Sequence, residues 1–166
     1  MTEPGHGSDA ASSQAPRRRR RPEPTPTQRA LGLLTRREHS RKELVRKLAD
    51  RGVESSEAAV VVDKLTEAGW QDDTRFAQSM VRSRASAGYG PAFIRAALGT
   101  HGLGADTIAS ALEAYEGDWT DNARALVARR HPAAHAGDRE AQRRAAEFLL
   151  RRGFSMEQAR AALHGE

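Results

Sequence analysis

One punctuation recurs four times in this chain and limits its fold more than any other feature. Leu48-Ala49-Asp50-Arg51-Gly52-Val53 reads leucine, three residues, glycine, apolar residue; the spacing returns as Leu65…Gly69-Trp70, Leu98…Gly102-Leu103 and Leu149…Gly153-Phe154. This is the spacing of a Schellman cap. Glycine at C′ takes the left-handed conformation that ends a helix, and the apolar residue after it folds back onto the leucine at C3. Gly52, Gly69, Gly102 and Gly153 therefore read as structural. No stretch shows the sustained period-2 alternation of β-branched residues that a half-buried strand needs, so no strands are expected.

Three of these stops lie in register. A shift of 50 residues lays Leu44, Leu48, Gly52 and Val53 on Ile94, Leu98, Gly102 and Leu103, and a further 51 reaches Ala145, Leu149, Gly153 and Phe154. After each pair comes a short polar start and another helix, near Ser55-Ser56-Glu57, Asp106-Thr107 and Ser155-Met156-Glu157, with serine placed as an N-cap in the first and third. A further helix precedes each stop. The first carries Ala30, Leu31, Leu33 and Leu34; the second carries Phe76, Ala77, Met80 and Val81 behind Asp72-Asp73; the third runs from Thr120 to Arg130. The expectation is all-α: three tandem three-helix, helix-turn-helix-like repeats over 28–71, 72–117 and 118–166. Units so small should stack into an elongated, curved array in which neighbours complete each core.

Ahead of the first unit, residues 1–27 consist mainly of Gly, Ser, Ala, Pro, Thr and Gln, with the run Arg17, Arg18, Arg19, Arg20, Arg21 before Pro22, Pro24 and Pro26. Such a segment has too little apolar surface to offset its ordering entropy and reads as a disordered tail. It is either a flexible arm that touches phosphates or a solvated, solubilising extension. The chain's net charge of +5 suits a polyanion or a partner's acidic face. The three units together contribute only +3 of it, so this signal is modest. With no cysteine there are no disulfides or thiolate metal sites, which suits a reducing cytosol. The start lacks the apolar core of a secretory signal, and nothing approaches a membrane span, so a soluble, cytoplasmic protein is expected.

Catalytic constellations are missing from the sequence. His6, His39, His101, His131, His135 and His164 are scattered, and Pro132 makes the segment between His131 and His135 a loop rather than a helix presenting two ligands. Asp72 and Asp73 form the one adjacent carboxylate pair, explained by helix capping, with Arg75 available to hold one of them. Gly88-Tyr89-Gly90-Pro91 reads as a turn feeding a helix, since neither a phosphate-binding nor a dinucleotide motif is present. No cofactor, metal or enzyme activity is expected. Sequence-specific DNA reading is disfavoured too. The helix after Gly52 opens Ser56-Glu57-Ala58, and its counterpart opens Asp106-Thr107-Ile108, where a reader needs Arg, Asn, Gln or Lys.

The basic residues concentrate instead on the first and second helices of the outer units. They are Arg36, Arg37, Arg41, Lys42, Arg46, Lys47 and Arg51, then Arg129, Arg130, Arg139, Arg143, Arg144, Arg151 and Arg152. With Arg75 added and Arg139 left out, these are the fourteen candidates for facing a partner or DNA, single- or double-stranded.

Ser40-Arg-Lys-Glu-Leu44 with Lys47-Leu48 and Arg51-Gly52 resembles the first repeat of the RecX family. Asp72-Asp73-Thr-Arg75-Phe76-Ala77, followed by Gly88-Tyr-Gly90-Pro91 and Ile94…Leu98…Gly102-Leu103, is similar to its second, and Phe148-Leu149…Arg151-Arg152-Gly153-Phe154 to its third. The resemblance spans 28–166. It implies three three-helix repeats and a regulator that binds the RecA recombinase filament, suppresses ATP hydrolysis, strand exchange and co-protease activity, and so modulates recombination, DNA repair and the SOS response. It implies no cofactor, and a monomer is expected. The alternative is a DNA-binding protein that acts without RecA. Departures from the family pattern are Gln71, where an apolar residue is usual, Ala97 and His101; the arginine-rich tail has no place in the pattern.

Overall fold

In the computed structural model, residues 22–165 are described; Arg17–Arg21 and most of the expected tail lie outside them. The described residues form nine α-helices and one short 3-10 helix, with no strand. The first unit comprises α1 (Pro26–Leu34), α2 (Arg41–Ala49) and α3 (Ser55–Glu67). The second comprises α4 (Asp73–Ser86), α5 (Pro91–Gly99) and α6 (Ala105–Glu113). The third comprises α7 (Trp119–Arg130), a 3-10 turn (Pro132–Ala136), α8 (Arg139–Arg151) and α9 (Met156–His164).

The helix starts follow capping chemistry. Pro26, read in sequence as part of the tail, is the first residue of α1, where its missing N–H costs nothing, and Thr25 and Gln28 close a capping box around it. Ser40 caps α2 and Ser155 caps α9, the latter in a second capping box with Gln158. Serine was expected to cap α3 as well. The cap is instead the Glu54 carboxylate, which accepts from the amides of Ser56 and Glu57 at 2.8 and 3.2 Å. A carboxylate there also complements the positive end of the helix dipole. The segment after Pro132, expected as a loop, winds into the 3-10 turn and ends at left-handed Gly137.

Three of the four stops are complete Schellman caps; at the other, Gly102 N donates to Gly99 O at 3.2 Å but no bond from Leu103 N to Leu98 O completes the motif. Val53 N donates to Leu48 O at 3.1 Å while Gly52 N, at φ 87°, donates to Ala49 O at 2.9 Å. The same pair of bonds closes α3 at Gly69-Trp70 and α8 at Gly153-Phe154. A fifth cap, at Gly88-Tyr89, is built the same way on Arg84; arginine in place of leucine at that position hides it from the sequence pattern. The apolar fold-back is less uniform than the backbone. Phe154 is buried, whereas the Trp70 indole is 61% exposed, so the main-chain bonds close that cap without it.

Each unit has its own core. Ala30, Leu44, Leu48, Ala58, Val62 and Leu65 fill the first. Phe76, Ala77, Val81, Ile94, Leu98, Ile108 and Leu112 fill the second, and Leu126, Val127, Ala145, Leu149, Phe154 and Leu163 the third. Trp119 packs against both the second and the third, so these two complete each other as expected. The first core shares no residue with its neighbour, which departs from that expectation.

The sequence register reappears as geometry. The N-terminal turn of α2 meets the C-terminal end of α5, where Lys42 Nζ donates to Thr100 O at 3.0 Å. One register step on, the N-terminal turn of α5 meets the end of α8: Gly90 N donates to Arg152 O at 2.8 Å and Ala92 N to Gly153 O at 3.0 Å.

Candidate functional site

The fourteen candidate basic residues of the described chain divide by what their side chains hold. Arg37 donates to both carboxylate oxygens of Glu43, at 2.5 and 3.2 Å, and Lys47 Nζ lies 3.7 Å from the same group. Arg41 Nε donates to Asp63 at 2.7 Å and Arg144 to Glu140 at 2.9 Å. Lys42 caps α5 as described. Arg152 is stacked between the Tyr89 and Phe148 rings, at 4.6 and 5.3 Å from their centroids. Arg75 is tied to the first unit: its Nε donates to Glu38 Oε1 at 2.9 Å and its Nη2 to the carbonyls of Gly69 and Trp70.

Seven remain exposed, without an acidic partner within 4.0 Å among the described residues: Arg36, Arg46, Arg51, Arg129, Arg130, Arg143 and Arg151. An unpaired, exposed guanidinium keeps its five donors free for a partner's carboxylates or phosphates. Three of the seven sit in the first unit and four in the third; the second unit supplies none of the candidates that remain free. The free candidates therefore lie in the first and third units, while the second unit adds exposed Arg82, Arg84 and Arg95, which also have no acidic partner within 4.0 Å among the described residues.

Asp72 and Asp73 split their work. Asp72 caps its own helix, accepting from Thr74 N at 2.7 Å and Arg75 N at 3.0 Å. Asp73 reaches across to cap α2, accepting from Arg41 N at 2.9 Å. Gln71, 1% exposed, ties this junction together by donating to His39 O at 3.2 Å and to Asp73 Oδ1 at 3.0 Å, while Thr66 Oγ1 donates to its carbonyl at 2.7 Å. A buried amide with every polar atom engaged is stable where an orphaned one is not. That explains how a polar residue sits buried at this junction.

His39 and His101 belong to the same junction, and their scatter along the sequence concealed it. His101 Nδ1 lies 2.9 Å from Ser40 Oγ, and its ring packs against Phe76 at 4.7 Å. His39 Nδ1 is 3.1 Å from Glu43 Oε2 but off the line of a hydrogen bond. Burial lowers the pKa of both rings below the ordinary 6.5, with Glu43 opposing; Arg37 reinforces the lowering at both, Lys47 at His39, Arg46 and Lys42 at His101. Burial alone would raise Glu43. The bonds from Arg37 and the charge of His39 outweigh it and hold the carboxylate below its ordinary 4.5. Between α4 and the first unit lies a cleft of about 450 Å³ lined by Arg37, Glu38, Glu43, Phe76, Ser83 and His101, among others. Ser40 is fully buried and its Oγ also accepts from Glu43 N at 3.1 Å, so its contact with His101 belongs to the cap of α2; no group of three metal-ligating side chains occurs among the described residues. No helix of the described residues is long and apolar enough to cross a membrane.

The fold defines a class: a tandem array of three-helix units. Three family models match in consecutive order: "RecX, first three-helix domain" over residues 27–65, the second over 72–112 and the third over 116–163. The chain belongs to the RecX family. It is 58% identical over 155 residues to a regulatory protein RecX of Stenotrophomonas maltophilia, covering 93% of this chain and 95% of that one. It is 59% identical over 149 residues to the regulatory protein RecX of Xanthomonas axonopodis pv. citri, covering 89% and 92%. The crystal structure of RecX from Lactobacillus salivarius shares the fold, with a TM-score of 0.70 at 23% identity over 84% of this chain and 93% of that one.

Proposed function

We propose that this protein binds the RecA recombinase filament assembled on DNA and restrains it, lowering ATP hydrolysis, strand exchange and co-protease activity and so modulating recombination, DNA repair and the SOS response. The observation that carries the reading is the run of three family-model matches from residue 27 to residue 163 in a chain whose curated relatives are named regulatory proteins. The surface is consistent with it. Free arginines spread along one array can engage successive sites on a repetitive partner, and multivalent contact raises affinity without any single strong site. In this reading the protein is a cytoplasmic monomer that needs no cofactor and performs no chemistry of its own.

The seven unpaired arginines favour a second reading, direct binding of single- or double-stranded DNA without RecA. The two separate in one experiment. Sedimentation of the protein with RecA filaments on single-stranded DNA, beside DNA alone, places it with the filament under the first reading. Equal co-sedimentation with bare DNA, lost steeply as salt rises, supports the second.

A further inference from the structure

The two junctions of the array occupy the same register positions and are built from different materials. Between the second and third units the contact is backbone on backbone, through the Gly90–Arg152 and Ala92–Gly153 bonds. There is no slack in it: a Cβ added at Gly90 would lie 2.4 Å from the Gly153 carbonyl carbon, and one at Gly153 would lie 2.4 Å from Phe93 N. The covalent connection is packed as well. Tyr115 stacks on Trp119 at 4.4 Å and accepts from Asn122 at 2.9 Å, and Trp119 is shared by both cores.

Between the first and second units no core residue is shared and the ties run through side chains. They are Lys42 to Thr100 O, Ser40 to His101, Gln71 to Asp73, Asp73 to Arg41 N, and Arg75 to Glu38. The connection is short and exposed around left-handed Gly69, whose added Cβ would meet nothing within 4 Å, and Trp70. Its two carbonyls are held by Arg75 alone among side chains. Beside it lies the cleft of about 450 Å³ between the two units. The Lys42–Thr100 and Arg75–Glu38 ties are exposed, where such bonds are individually weak and screened by salt, while Ser40 and Gln71 are buried; a close-packed backbone contact has no alternative arrangement nearby.

We infer that the chain is a two-body machine: the second and third units form one rigid block, and the first unit swings at the Gln71–Asp72 link, just past the bonds that close α3, with the Arg75–Glu38 ion pair as its latch. Opening the latch lets the first unit's arginines change their spacing from those of the third unit. The array then adapts to a partner of variable pitch instead of presenting one fixed separation. Hinged closure of this kind concentrates its backbone change in a few terminal residues of an element.

The chain has no cysteine, so pairs of introduced ones label cleanly. Glu57→Cys, Ala96→Cys and Ala128→Cys place spin labels at exposed positions of the three units. Double electron–electron resonance on the isolated protein should give a narrow 96–128 distance distribution and a broader 57–96 one. Arg75→Ala or Glu38→Gln should broaden the 57–96 distribution by about twofold while leaving 96–128 unchanged. Helicity by circular dichroism checks that each variant is folded. Should Arg75→Ala unfold, Glu38→Gln and molar sodium chloride open the same latch. Equal widths for the two pairs, with no response of 57–96 to any of these changes, overturn the hinge. RecA takes no part in the measurement, so a negative result leaves the proposed function standing.

Discussion

At the scale of single residues, the junction between the first two units concentrates the chemistry. Gln71 meets His39 O, Asp73 and Thr66 with one buried amide. Leucine is close to it in volume but strips these groups of their partner, so Gln71→Leu should cost about 1–3 kcal/mol in urea unfolding. A variant as stable as the wild type contradicts this account of the junction. The histidines add a pH dependence whose sign is determined. Their folded pKa values lie below 6.5, so as pH falls the unfolded chain takes up protons first; stability is complete above 6.5 and is lost below it. Glu43, held below 4.5, acts with the same sign at lower pH: its contribution is complete above 4.5 and is lost as pH falls further. The urea midpoint should be level above about pH 7 and decline from about pH 6.5. His39→Gln combined with His101→Gln should flatten the first part of that decline. A wild-type midpoint that holds steady to about pH 5 contradicts the assignment. None of this was legible in the sequence. Ser40 and His101 are 61 positions apart, and no local spacing connects them.

Elements were the most legible scale, because a Schellman cap is a local signal written within six residues. The four leucine-glycine stops and the register among three of them follow from spacing alone, and the helices they end are present. What escaped the sequence is instructive in the same terms. The Gly88 cap lacks the leucine, and Glu54 caps α3 although two serines follow it, because capping is decided by which oxygen reaches the free amides. Two glycines separate backbone strain from packing. Gly52 has φ 87° and open space around it, so Gly52→Ala pays only for the left-handed conformation, about 1 kcal/mol. Gly90 has an ordinary φ of −90° and no room, so Gly90→Ala should cost about 1–3 kcal/mol by overpacking the junction with Gly153. Thermal unfolding of the two variants checks the ranking. A harmless Gly90→Ala would mean that the second and third units are not held by backbone contact.

At the scale of the molecule, the sequence exposed the number of units and the placement of basic residues toward the ends, but not which cations stay free. That depends on partners brought in by folding, as with Glu38 for Arg75 and Asp63 for Arg41. Of the candidates, Arg46 in the first unit and Arg143 and Arg151 in the third are exposed and unpaired, so they report on binding without disturbing a junction. The central claim is that this array restrains a RecA filament, and the rate of ATP hydrolysis by RecA on single-stranded DNA tests it most directly. The rate should fall as the protein is added and fall less with the Arg46→Glu, Arg143→Glu, Arg151→Glu triple variant. Hydrolysis that stays unchanged under an excess of folded wild-type protein would contradict the account.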